Sequence, residues 1–374
     1  MILFRADANS SIGMGHIMRC LSIADVLSIS TSEPTIISRG KQDIKFVLAD
    51  SGVSELIKSR GYEAIILDTL YNRMDDEIEK WIELEPSIDA DLVIVDSYFV
   101  TPTYLSWLRD NIGTIVYIDD VLSFSYPVDL LINYNAYAAE ASYHKLYGAC
   151  ELPELILGPT YAPLRPMFRN ISKREQKLIV TDILLSTGGS DELHVALSFL
   201  SYLRDHPHPC TTYHVLVGAM NTDKDAIRSL AKGKDWIVLH ENVADMKSLI
   251  SSMDIIISAA GSTLYEICAC GVPLITYSIA DNQILGAEAF QRLGLAVDIG
   301  DLRSPSSIDH NLIISGTLAD DAIEKLIAAE NSLAEDVEKR IAMGQKMQRL
   351  IDGRGAERLA TKVIESVVKK IRRV

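Results

Sequence analysis

Between Arg5 and Cys20 the chain reads Arg5-Ala6-Asp7-Ala8-Asn9-Ser10-Ser11-Ile12-Gly13-Met14-Gly15-His16-Ile17-Met18-Arg19-Cys20. A short apolar run ends, two glycines follow, and a histidine sits at the start of an amphipathic helix whose stripe is Ile17, Cys20, Leu21 and Ala24. Gly13 and Gly15 let the backbone approach a ligand closely. His16 on the first helical turn is, as a neutral imidazole facing a cleft, a competent general base; the alternative is a histidine that only bonds its own loop. Gly13-Met14-Gly15 lacks the third glycine of the dinucleotide fingerprint.

Ser258-Ala259-Ala260-Gly261-Ser262-Thr263-Leu264-Tyr265-Glu266 is a second such place, where small residues lead from a strand into a helix that opens with hydroxyls. Gly261, Ser262 and Thr263 there suit a phosphate at a helix N-terminus. Glu266 stands three residues after Thr263, the spacing of a capping box, and the other reading is a carboxylate that binds both ribose hydroxyls. Ala280-Asp281-Asn282-Gln283 follows the next strand, with loop capping as its plainer role. Asp96-Ser97-Tyr98 follows Asp91-Leu92-Val93-Ile94-Val95, and Thr101-Pro102 then starts a helix. Tyr98 thus falls in a strand-to-helix loop, either reaching a ligand or half-buried for packing, while Asp96 braces the turn.

These segments need strands to deliver them. β-branched runs alternate with helical patterns throughout, which predicts parallel sheets flanked by helices. The expected strands are Ile2–Arg5, Thr35–Ser38, Ala64–Leu67, Leu92–Val95 and Thr114–Ile118, then Ile183–Leu185, Tyr213–Val217, Trp236–Leu239, Ile255–Ile257 and Leu274–Tyr277. In doubly wound sheets ligands bind outside the carboxyl ends of the strands, where all three segments lie. The three prolines between Leu157 and Pro166 forbid regular structure and mark a linker. The expected division is an N-terminal Rossmann-like domain over 1–158, a nucleotide-binding domain over 172–352, and a C-terminal helix over 353–374 with the option of returning to the first domain. Lys369, Lys370, Arg372 and Arg373 at the end of that helix complement its dipole.

The length of 374 residues fits two domains, and a net charge of -15 argues against a nucleic-acid surface while leaving room for a small anionic ligand. Ile255 to Ile279 is apolar enough to suggest a membrane span, but Glu266 and Gly271-Val272-Pro273 interrupt it, so buried strand, helix and strand are expected. No leader is read before Ile2, and five scattered cysteines suit a reducing compartment, so a cytoplasmic location without stable membrane association is expected. No zinc signature, nucleophile elbow or Walker loop is present, and neither a metal nor an organic cofactor is expected.

The ordered set Arg-Ala-Asp-Ala-Asn-x-x-Ile-Gly-x-Gly-His-x-x-Arg-Cys, Val-Asp-x-Tyr, Leu157-Gly158-Pro159-x-Tyr161-x-x-Leu164-Arg165, Ser186-Thr187-Gly188-Gly189-Ser190-Asp191, Ala-Gly-Ser-Thr-x-Tyr-Glu with Ala-Asp-Asn-Gln, and Asp352-Gly353-Arg354-Gly355-Ala356-Glu357-Arg358 resembles the nucleotide-sugar hydrolases of pseudaminic acid biosynthesis. The resemblance runs over nearly the whole chain, and Ser97 stands where that family often carries histidine. It implies an α/β chain of two doubly wound Rossmann-like domains, the glycosyltransferase-B fold, with a cleft between them, similar to the transferase that adds N-acetylglucosamine to lipid I. It further implies that His16 activates water, that Tyr98 and Asn282 stand beside the sugar, and that Gly13, Gly15, Gly261, Ser262, Thr263 and Gln283 surround the diphosphate with Glu266 on the ribose. The expected substrate is a UDP-linked 2,4-diacetamido-2,4,6-trideoxyhexose cleaved with inversion. The alternative is a glycosyltransferase on the same scaffold. The oligomeric state is open, with a monomer as the working expectation.

Overall fold

The computed structural model describes residues 1–9, 12–29, 40–206, 208, 210–303 and 320–371. The chain divides into two compact units, one of Met1–Pro166 with Gly353–Val374 and one of Met167–Asp352.

In the first unit β1 (Ile2–Ala6), α1 (Gly15–Leu27), β2 (Ile44–Leu48), α2 (Ser54–Ser59), β3 (Glu63–Ile66), α3 (Ile78–Leu84), β4 (Leu92–Asp96), α4 (Pro102–Asn111), β5 (Thr114–Ile118), β6 (Leu130–Asn133), α5 (Glu140–Tyr147) and β7 (Glu154–Leu157) alternate. The seven strands form one parallel sheet in the order β3-β2-β1-β4-β5-β6-β7. Every residue of β1, β4 and β5 is buried, which explains their unbroken apolar runs. Trp81, Tyr104, Leu105 and Leu108 from α3 and α4 pack with Val93, Val95 and Tyr117 on one face. The strand order reverses between β1 and β4, so the C-terminal ends of those two strands flank the switch point of the sheet.

The second unit repeats the pattern with β8 (Asp182–Ser186), α6 (Val195–Asp205), β9 (Thr212–Val217), α7 (Lys224–Ala231), β10 (Ile237–Glu241), α8 (Met246–Ser252), β11 (Ile255–Ala259), α9 (Thr263–Cys270), β12 (Leu274–Ser278), α10 (Asp281–Arg292), β13 (Val297–Asp301), α11 (Asp320–Glu335) and α12 (Val337–Leu350). Its parallel sheet has the order β10-β9-β8-β11-β12-β13, with the switch point between β8 and β11. The apolar stretch from Ile255 is strand, helix and strand as expected, and among the described residues no helix is long and apolar enough to cross a membrane.

The last helix, α13 (Gly355–Ile371), belongs to the first unit and packs against α1. Ala356, Leu359, Ala360, Val363 and Val367 form its buried stripe at helical spacing. A Cβ on Gly355 would lie 2.0 Å from the carbonyl oxygen of Ala162, so only glycine allows the helix start to approach that backbone. Lys370 pairs with Asp129 at 2.8 Å and Lys369 with Glu154 at 3.9 Å, so these two lysines tie the helix to the sheet rather than serving its dipole alone. Arg372, Arg373 and the expected strand Thr35–Ser38 lie outside the described residues.

Several expectations are corrected. The proline segment is not wholly irregular: Pro159–Tyr161 and Pro166–Phe168 each form one 3-10 turn begun by a proline, whose missing N–H costs nothing at a first helical position. The strands β2, β6, β7 and β13 were not anticipated. Three of these have only four or five residues with few β-branched side chains, and β13 contains two aspartates and a glycine.

Candidate functional site

The loop that carries Gly13 and Gly15 starts where β1 ends. Gly13 donates its amide to the Asn9 carbonyl at 2.8 Å, and the Asn9 side chain accepts from the Ile12 amide at 3.1 Å. Gly13 has φ +70°, a left-handed backbone that glycine adopts without strain. The side chain of Met14 does not cap α1, and a Cβ added to Gly15 would meet nothing within 4 Å. Packing within the protein therefore does not demand a glycine at Gly15.

His16 is buried, and its Nδ1 lies 2.6 Å from Oδ1 of Asp96, the last residue of β4. A carboxylate can only accept, so Nδ1 is the donor of this pair, and in the neutral ring Nε2 is then the acceptor nitrogen. Arg19 grips the same carboxylate with two nitrogens, Nε reaching Oδ2 at 2.5 Å and Nη2 reaching Oδ1. Its Nη1 reaches Asp120 and the Tyr134 hydroxyl, each at 2.7 Å. Burial by itself pushes the Asp96 carboxyl up, but the Arg19 guanidinium and the His16 ring outweigh that and hold it well below the usual carboxylate range. Asp96 is therefore ionised behind the imidazole, and it shares its charge with the Arg19 guanidinium, whose Nη2 lies 3.1 Å from the same Nδ1. Tyr98 meets the His16 ring in an edge-to-face contact, with ring centroids 4.5 Å apart.

Sequence reasoning assigned Asp96 only to its turn and gave Arg19 no role. The signal was present in part: His16, Arg19 and Cys20 are at i, i+3 and i+4 on α1 and so share a face, and the Cys20 thiol also reaches Asp96 at 3.6 Å. A second buried cluster went unread. Arg5 on β1 pairs with Asp7 at 2.5 Å and with Glu77, which also accepts from the Tyr104 hydroxyl at 2.9 Å and the Thr69 hydroxyl at 3.4 Å. Asp7 in turn accepts the Ala49 amide at 2.8 Å, so the cluster locks the loops after β1 and β2 together.

In the second unit Gly261, Ser262, Thr263 and Glu266 follow β11, while Asn282 and Gln283 open α10 after the neighbouring β12. All six lie at the C-terminal edge of one sheet. The N-cap of α9 is Ser262, not Thr263, and no side chain caps it, so the capping-box explanation of Glu266 is withdrawn. Gly261 is exposed, and a Cβ there would meet nothing within 4 Å. Gln283 uses its Oε1 to accept the Ile279 amide at 2.9 Å, a capping contact of its own loop. The N-terminus of α6, after the other switch-point strand, is already occupied: Asp191 accepts from the amides of Val195 at 2.9 Å and Ala196 at 3.0 Å. Gly188 with φ +86° and Gly189 lie against Gly218, where a Cβ would come within 2.3 Å of the Gly189 carbonyl oxygen. His16, Tyr98, Gly13 and Gly15 thus gather in the first unit, and the remaining six gather in the second.

Residues 183–346 match the Glycosyltransferase family 28 C-terminal domain. The chain is 24% identical over 277 residues to an uncharacterised protein of Methanocaldococcus jannaschii, covering 72% of this chain and 54% of that one. It is 29% identical over 267 residues to the UDP-2,4-diacetamido-2,4,6-trideoxy-β-L-altropyranose hydrolase of Campylobacter jejuni, covering 69% of this chain and 85% of that enzyme. The chain therefore spans about half the length of the first relative and most of the second. Among solved structures it is similar to MurG of Acinetobacter baumannii, with TM-score 0.64 and 13% identity over 97% of this chain and 99% of that one. The UDP-GlcNAc 2-epimerase of Neisseria meningitidis bound to UDP-GlcNAc gives TM-score 0.63 and 12% identity over 98% and 100%. Two doubly wound parallel-sheet units with these structural neighbours give the chain the glycosyltransferase-B fold.

Proposed function

We propose that the chain hydrolyses a UDP-linked 2,4-diacetamido-2,4,6-trideoxyhexose to UDP and the free sugar, as a step of nonulosonic acid biosynthesis in the cytoplasm. The observation that carries the reading is the His16–Asp96 pair, which leaves Nε2 of His16 as the proton acceptor. In this reading water gives a proton to Nε2 as its oxygen attacks the anomeric carbon. The bond from that carbon to the diphosphate oxygen breaks, its electron pair leaves with UDP, and the anomeric configuration inverts. Asp96 stabilises the imidazolium that forms. Tyr98 and Asn282 orient the sugar and the attacking water.

The leaving diphosphate gains negative charge, and amide donors at a helix start stabilise such charge. The start of α9 at Ser262 and Thr263 has no side-chain cap and has open space at Gly261, whereas Asp191 already fills the start of α6. That contrast supports α9 as the diphosphate site, with Glu266 holding the ribose. The similarity to the Campylobacter jejuni hydrolase supports the choice of water and of this sugar.

The match of residues 183–346 to a glycosyltransferase domain favours one second reading, in which His16 deprotonates an acceptor hydroxyl. Turnover in ¹⁸O-water without acceptor separates the two. Hydrolysis at carbon releases UDP free of label, read by mass analysis. Label in UDP, or no UDP release until an acceptor is supplied, overturns the hydrolase reading.

A further inference from the structure

Among the described residues of the first unit, six large apolar side chains stand exposed: Met14, Ile29, Leu70, Ile82, Phe99 and Val121. Four of them, Met14, Leu70, Phe99 and Val121, lie on the loops after β1, β3, β4 and β5. In a parallel sheet those loops share one edge, which here is the edge of His16.

The loops after β3 and β4 are fastened to each other. Tyr71 and Phe99 meet edge to face with ring centroids 5.4 Å apart, and the Thr101 hydroxyl donates to Asp75. Beneath them the 3-10 turn Met74–Glu77 is anchored by Glu77, which is fully buried and accepts from Arg5 at 2.8 Å and Tyr104 at 2.9 Å. The loop after β4 divides two adjacent rings: Tyr98 turns onto His16, while Phe99 turns outward. The Ser97 hydroxyl accepts the Phe99 amide at 3.2 Å and holds that turn. Half-buried Tyr71 and exposed Phe99, braced by a buried ion pair, form a preorganised aromatic pair, and Phe99 directly follows Tyr98, whose ring touches His16.

We infer that Tyr71 and Phe99, with Leu70 beside them, form an apolar platform that receives the uncharged methyl and acetyl substituents of the sugar processed at His16, and thereby set its specificity. This rests on the hydrolase reading and adds the residues that choose the sugar. Charge favours the occupant: Asp68, Asp75 and Asp76 are exposed on the same connection, Arg73 offsets only Asp76, at 2.8 Å, and the remaining negative charge disfavours an anionic lipid surface while a neutral sugar ring meets no such penalty. Aromatic faces also bury apolar area with little loss of side-chain freedom, which suits a small ligand.

The test uses the full chain carrying Tyr71→Ala with Phe99→Ala, and Phe99→Leu as the conservative variant. KM and kcat are measured with the UDP-linked 2,4-diacetamido-2,4,6-trideoxyhexose, and Kd is measured for UDP alone. The double variant is expected to raise KM by about tenfold or more, the discrimination that a few buried methyl groups supply. UDP affinity stays unchanged, Tm falls by only the few degrees that one lost ring contact costs, and Phe99→Leu recovers part of the loss. An unchanged KM, or an equal loss of affinity for UDP, overturns the platform. So does wild-type binding to anionic vesicles that the double variant loses. If the wild-type chain releases no UDP, the hydrolase reading has failed by itself. The platform is then judged by whether the double variant narrows the gap in Kd between the UDP-sugar and UDP.

Discussion

At the scale of single residues, the proposed hydrolysis turns on one proton. Nδ1 of His16 donates to Asp96, so in that reaction Nε2 is the atom that takes the proton from water. His16→Leu is expected to lower kcat by about 10²–10⁴ while UDP affinity stays within a few-fold, read by UDP release and calorimetry. Near-normal turnover in that variant sinks the assignment. Asp96→Asn keeps the shape but removes the charge that backs the imidazolium and pairs with Arg19. The expected loss in kcat is again on the order of 10²–10⁴ with little change in KM. A KM effect without a kcat effect would instead make Asp96 a structural brace. His16 and Tyr98 were legible as candidates because a histidine after two glycines and a tyrosine after a strand are visible in one dimension. Their partner was not, since Asp96 lies 80 residues from His16.

At the scale of elements, helix starts decide where an anion can sit. The α6 start is filled by its own aspartate, and the α9 start has no side-chain cap. Gly261→Ala is expected to leave stability unchanged or slightly raised, because the new methyl meets no protein atom and reduces the freedom of the unfolded chain by about 0.4–1 kcal/mol. UDP affinity should nevertheless fall several-fold if α9 is the diphosphate site, since the methyl would stand at its mouth. A variant that binds UDP normally would remove Gly261 from the site. Gly355 behaves in the opposite way. Its Cβ position overlaps the Ala162 carbonyl, so Gly355→Ala should destabilise the first unit by about 1–3 kcal/mol in urea unfolding, with no direct effect on UDP binding. Both glycines stand in sequence motifs of similar appearance, and only the space around each one separates a ligand contact from a packing contact.

At the scale of the whole molecule, the proposed function divides the labour between the two units. The second has its own sheet and its own core, including Ile183, Leu185, Ile255, Ile257, Leu274 and Tyr277. Residues 167–352 produced alone are therefore expected to fold cooperatively and to bind UDP within a few-fold of the full chain, by calorimetry, yet to release no sugar because His16 is absent. Failure to bind UDP would move the nucleotide contacts to the first unit. The first unit cannot be cut in the same simple way, since α13 returns from the far end of the chain to cover α1.

The sequence by itself determined the class of fold, because strand and helix periods alternate locally and each can be read within a few residues. It also singled out the loops at strand ends, since glycine, histidine and hydroxyl residues break those periods. It did not determine which strands are neighbours. β1 lies beside β4 because apolar faces from distant segments must be buried together, and no local pattern encodes that order. The tertiary structure alone decided that Asp96 and Arg19 complete the histidine. It alone showed that Arg5 and Glu77 brace the loop carrying Tyr71, and that the final helix belongs with the first residues of the chain.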